Sequence, residues 1–131
     1  MTLIVTLDDK NGMMFGTRRQ TTDRVLSERI LSLTEKKRLL VSPYSASLFP
    51  EKEELLISDN PAGEAENNDF AFVEDTPLTD AETYVVFRWN RRYPATRFFE
   101  KDLKKEGFSL IHKEDFAGFS HEKITQEIWQ K

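Results

Sequence analysis

At 131 residues, with 38% apolar and 32% charged side chains, the chain has the composition of one folded domain, and its ten Phe, three Tyr and two Trp are enough to fill a single core. It contains no cysteine, which excludes a disulfide scaffold, a zinc-thiolate site and a Cys nucleophile. A formal net charge of −4 gives no global pull toward nucleic acid or an anionic membrane, so any polyanion site must be a local patch.

The opening MTLIVTLDDK has neither the apolar length nor the positive start of a signal peptide or membrane anchor, so no membrane partner and a cytoplasmic location are expected. Leu3 to Leu7 is a short, nearly continuous β-prone run, the pattern of a central strand covered on both faces; Asp8, Asp9, Asn11 and Gly12 end it in a turn. Between Asp23 and Thr34 the positions Val25, Leu26, Arg29 through its stem, Ile30 and Leu33 recur at helical spacing, with Thr21 or Thr22 as the cap. Arg38 to Val41 reads as a second buried strand. Ser42-Pro43 then supplies an N-cap and a first-turn proline for a short helix over Tyr44 to Phe49.

Leu55 to Ser58 is a third strand, and the polar stretch from Asp59 to Asp69 a solvated loop. Phe70 to Val73, Tyr84 to Trp89 and Phe108 to His112 complete the strands, with Thr79-x-x-Glu82 marking a single helical turn. Ser120 to Lys131 reads both ways, since Ile124 and Ile128 fit a helix while Ile124, Gln126 and Ile128 alternate as in a strand. The excess of Glu, Lys and Gln and a capping Ser120 favour helix. The expectation is a three-layer α/β domain spanning 1–131, with a mostly parallel twisted sheet of five to six strands and helices on both faces.

The segment from Thr76 to Phe116 carries a family pattern: Pro77, Leu78, Ala81 and Tyr84, then Thr96, Phe98, Phe99, Asp102 and Leu103, then Leu110, Glu114, Asp115 and Phe116. It resembles the C-terminal part of dihydrofolate reductases, and the rest of the chain can be laid on the same fold. In that family a carboxylate near the start of the first helix hydrogen-bonds the pterin ring and supports its protonation. The resemblance makes Asp23 the candidate for that catalytic position, although RRQTT precedes it in place of a Trp-x-x-Pro loop.

Other family features are missing. The Gly-Arg-x-Thr element that holds the dinucleotide phosphates is replaced by Ser42-Pro43-Tyr44-Ser45, and the Gly-Gly turn that admits the pyrophosphate by Glu74-Asp75-Thr76. Two added carboxylates where the pyrophosphate would lie oppose binding, so no NADPH, no other cofactor and no hydride transfer are expected.

Arginines supply the other signal. Arg18, Arg19 and Arg24 follow the first strand, and Arg91, Arg92 and Arg97 follow the fifth. Loops at the carboxyl ends of parallel strands meet in one crevice, where guanidinium forks suit phosphate oxygens and Tyr93, Trp89 or Phe15 can stack on a ring. The bland reading is that these arginines pair with some of the 23 acidic residues or face solvent.

The chemistry of the remaining residues is sparse. His112 and His121 lack metal-ligand spacing, so no metal site is expected; His112 reads as a strand end, His121 as part of a helix start, and Asp8-Asp9 as a turn. Two functions stay open. One is a binding domain taking a small anionic ligand, nucleotide or short RNA through Arg18, Arg19, Arg91, Arg92 and Tyr93. The other is an enzyme on a phosphate- or heterocycle-containing substrate with Asp23 as acid or base.

Overall fold

The computed structural model describes residues 1–75 and 78–131, so Thr76 and Pro77 of the reductase-like segment lie outside the described residues. In chain order the elements are β1 (Thr2–Leu7), β2 (Gly12–Phe15), β3 (Arg18–Arg19), α1 (Arg24–Leu33), β4 (Leu39–Val41), a 3-10 turn (Ala46–Leu48), β5 (Leu55–Ile57), α2 (Pro61–Glu64), β6 (Phe70–Phe72), β7 (Thr83–Arg88), β8 (Arg97–Phe98), β9 (Ser109–Phe116) and β10 (Ile124–Gln130).

The main sheet has seven strands in the order β5-β4-β6-β1-β7-β10-β9. The first five are mutually parallel, and β10 and β9 add on antiparallel at one edge. As the unbroken apolar run of β1 requires, alternate residues enter different cores. Leu3, Val5 and Leu7 pack with Tyr84, Val86, Phe99 and Phe108, whereas Ile4 packs with Leu26, Ile30, Val85 and Phe87. The α1 helix covers the Ile4 face through Leu26 and Ile30; Ala62 of the one-turn α2 joins the Leu3 face. Within the reductase-like segment, the buried Tyr84 ring meets Phe99 and Phe108 edge-on at centroid distances of 6.1 and 5.2 Å.

Several expectations are corrected. The sheet has seven strands, not five or six, because the tail forms β10 and not a helix. Thr125, Gln126 and Glu127 are buried there although they are polar, each held by a partner distant in sequence. Thr125 donates to Asp115 at 2.6 Å, Gln126 accepts from Arg29 at 3.1 Å, and Glu127 accepts from Arg88 at 3.1 Å. His121 therefore lies in the loop before β10 and starts no helix.

Asp23 itself caps α1, in place of Thr21 or Thr22, accepting from Val25 N and Leu26 N. The helix expected over Tyr44 to Phe49 shrinks to the 3-10 turn, and Thr79 to Glu82 has no helical turn. A separate three-stranded sheet, β3-β2-β8, stands at the carboxyl ends of the parallel strands. Gly16 turns its β2–β3 hairpin with φ of 61°, a conformation that favours glycine.

Candidate functional site

The first strand delivers Asp8 to the carboxyl edge of the sheet, and the surrounding chain wraps around its carboxylate. Oδ1 accepts from Lys10 N at 2.8 Å and Gly12 N at 2.7 Å; Oδ2 accepts from Gln20 Nε2 at 3.0 Å and Tyr93 N at 3.2 Å. Burial pushes the Asp8 carboxyl up, but these four donors outweigh it and hold it below the usual carboxylate range. Its charge is thus spread over N–H groups, and Asp8 serves as the clip between the two arginine-bearing loops. A glycine is needed beside it, since a Cβ at residue 12 would lie 2.6 Å from Gln20 Nε2 and 2.7 Å from Ala95 Cβ.

The loops meet, but their arginines diverge. Arg19 turns away to Glu74, donating from Nε at 2.7 Å and Nη2 at 2.8 Å, and stacks over the Tyr44 ring at 4.3 Å. Glu74, almost fully buried, also accepts from Ser45 Oγ at 2.6 Å. Arg97 pairs with Asp75 at 3.2 Å and Arg24 with Glu28 at 3.9 Å. Among the described residues, Arg18, Arg91 and Arg92 are exposed and pair with no carboxylate.

Arg92 and Tyr93 line a groove of about 540 Å³ together with Asp8, Lys10, Pro94, Ala95 and Phe98. Arg91 is exposed next to it, its carbonyl accepting from Asp9 N at 2.9 Å. Arg18 sits on β3, the edge of the small sheet away from β8. Of the expected ligand-binding residues, only Arg92 and Tyr93 therefore line the groove. Lys10 was missed: it follows a double aspartate in a turn, and only the fold shows that the aspartate faces inward while the lysine lines the groove.

A second cleft, of about 420 Å³, lies over the carboxyl ends of β4, β5 and β6 at α2. Its wall includes Tyr44, Asp59, Ala62, Phe72, Glu74 and Asp75, and no Lys or Arg lines it. The two openings on this edge therefore differ in lining: Lys10 and Arg92 face one, while the other carries Asp59 and two carboxylates, Glu74 and Asp75, that are paired with Arg19 and Arg97.

Asp23 lies behind them and is saturated. Oδ1 accepts from Val25 N at 2.9 Å, Leu26 N at 3.3 Å and Phe119 N at 2.9 Å; Oδ2 accepts from Ser120 N at 2.9 Å and meets His121 Nδ1 at 2.9 Å. Burial raises the Asp23 carboxyl, yet Phe119 N, His121, Ser120 N and Leu26 N together hold it far below its ordinary value. No arginine touches it, and the crevice beside it, between Leu26, Phe49 and Trp89, measures only about 20 Å³.

Sequence reading missed His121, which is 4% exposed. Its ring lies against Trp89 at a centroid distance of 4.6 Å, and its Nε2 faces Tyr93 Oη at 3.0 Å. The two ring nitrogens thus bridge the Asp23 carboxylate and the Tyr93 hydroxyl. No signal in the sequence marks this chain of contacts, because its members come from separate loops.

No family model matches the sequence, and no curated protein matches it significantly. Among solved structures, the chain superposes on dihydrofolate reductase from Enterococcus faecalis, solved with NADP(H) and RAB-propyl. The TM-score is 0.63 with 7% sequence identity, over 98% of this chain and 94% of that one. At this identity the likeness speaks for architecture alone. The resemblance carried by Thr76 to Phe116 is thereby borne out at the level of architecture: this chain has a dihydrofolate reductase-like fold.

Proposed function

We propose that this protein is a binding domain for a phosphate-bearing ligand of nucleotide size, held in the groove of Lys10, Arg92 and Tyr93. One observation carries the reading. Six of the chain's nine arginines pair with a carboxylate; of the three that do not among the described residues, Arg92 lines this groove and Arg91 stands next to it, while Arg18 lies on β3. The volume, about 540 Å³, suits a small ligand. The one acid in its wall, Asp8, is already satisfied by N–H donors, so a phosphate there meets Lys10 and Arg92 without an opposing free carboxylate.

Hydride transfer is not part of this proposal. The family resemblance implies NADPH, but among the described residues the cleft over α2 is lined by Asp59, Glu74 and Asp75 and by no Lys or Arg, and the nearby Arg19 and Arg97 are already engaged by Glu74 and Asp75, so no free cation is left there for a dinucleotide's phosphates.

The reading is tested by titrating ADP into wild type and into R91A/R92A by calorimetry. Loss of binding in the double variant supports it; equal binding contradicts it. The second reading, an enzyme, is favoured by one observation, the run from Asp23 through His121 to Tyr93 at the groove wall. In that reading Asp23 orients His121, and His121 with Tyr93 moves the proton. Turnover of a phosphate ester that is lost in both D23N and H121Q would support it.

A further inference from the structure

The outer face of the small sheet extends the groove. Across β3-β2-β8, Met14 stands opposite Arg19 and Arg97, Phe15 opposite Arg18, and Gly12 opposite Phe98. The register shift between Gly12 and Met14 inserts Met13, so two steps of β2 match one of β8, and Gly12 and Met14 fall on different faces. Adjacent strand residues alternate in direction, which puts Met14, Arg19 and Arg97 on the inner side and Phe15, Arg18 and Phe98 on the outer side. Burial agrees on β2 and β3, where Met14 is 3% exposed and Arg19 reaches the buried Glu74 while Phe15 is 52% exposed; on β8 the faces are assigned by register alone, since Phe98 at 39% and the Arg97 side chain at 44% are both exposed.

Two exposed aromatic rings on one sheet face are costly in water without a use for them. Here they share the face with an unpaired arginine, and Phe98 also lines the groove that holds Lys10 and Arg92. Aromatic platforms flanked by cations are what a single-stranded nucleic acid engages, bases stacking on the rings and phosphates following the cations. The overall charge of −4 does not prevent this, because salt screens the distant carboxylates beyond about 10 Å while the local cations act at contact.

We infer that the outer face of β3-β2-β8 binds single-stranded nucleic acid, with bases on Phe15 and Phe98 and phosphates on Arg18, Arg92 and Lys10. This rests on the groove reading and extends it from a single nucleotide to a strand. Stacking and phosphate pairing are blind to the sugar, so RNA and DNA single strands bind alike. A duplex, its bases already stacked, binds more weakly.

The test is fluorescence anisotropy from about 0.1 M salt upward with labelled octamers of uridine and of thymidine, and with a duplex. The expected result is comparable affinity for both single strands, weaker affinity for the duplex, and a loss of about tenfold in F15A and in F98A. R18A lowers the slope of log affinity against log salt by about 1. Because these residues are exposed, an unchanged thermal midpoint confirms that the variants fold. Single-strand binding that ignores F15A and F98A, or no octamer binding at all, overturns the inference. If ADP binding still depends on Arg92 in either case, the groove reading survives; if ADP binding fails as well, both fall.

Discussion

Asp23 and His121, 98 residues apart, are joined through Oδ2 and Nδ1 at 2.9 Å, and both side chains are almost wholly buried. The contact ties the N-terminus of α1 to the loop between β9 and β10, which Phe119 N and Ser120 N reinforce. Removing the carboxylate frees the first N–H groups of α1 and leaves the His121 ring without its acceptor. D23A is expected to lower stability by about 3 kcal/mol or more in urea unfolding, as for a broken buried pair. A loss below about 0.5 kcal/mol would show that Asp23 does not clamp these segments.

The same carboxylate sets an acid limit. An unfolded Asp titrates near 3.8, whereas folded Asp23 and Asp8 both ionise at lower pH, so on acidification the unfolded chain takes up protons first. Their contribution is fully present above about pH 5 and is lost as pH falls below about 4 toward the folded values. Urea midpoints measured from pH 7 to pH 3 should therefore fall at the acid end, and the fall should be shallower in D23A.

Arg19 and Arg97 make the same kind of pair at different depths. The Glu74 side chain is 7% exposed and loses its principal cation in R19A, which is expected to cost about 2–3 kcal/mol. Arg97 and Asp75, at 44% and 40%, are screened, and R97A is expected to cost less than about 1 kcal/mol. Chemical denaturation of the two variants separates these outcomes, and equal losses would contradict the assignment of Arg19 to structure.

Cofactor fluorescence gives a third check. Titration of NADPH is expected to show no micromolar binding, since the cleft over α2 is lined by Asp59, Glu74 and Asp75 and by no Lys or Arg among the described residues. Micromolar binding would mean that the cleft over α2 accepts anions despite its carboxylates.

How far the sequence reaches is clear from particular elements. β1, β4, β6 and β7 were legible because strands buried on both faces need continuous apolar runs. β10 was not, because Thr125, Gln126 and Glu127 are buried only by virtue of partners in β7, β9 and α1. The meeting of the two arginine loops followed from strand order, and the structure joins them at Asp8. The different fates of Arg19 and Arg92 did not, since the carboxylate that claims Arg19 lies 55 residues away. His121 was hidden for the same reason, its contacts being assembled from three loops, at Asp23, at Trp89 and Tyr93, and at its own Ser120.

In the proposed function an anionic ligand enters at Lys10, Arg92 and Tyr93 and not at the cleft over α2. Amide chemical shifts followed during titration with ADP locate the ligand directly. The amides of Lys10, Arg92, Tyr93 and Phe98 are expected to move together while those of Asp59, Asn60 and Ala62 stay in place. Movement confined to Asp59, Asn60 and Ala62 would contradict it.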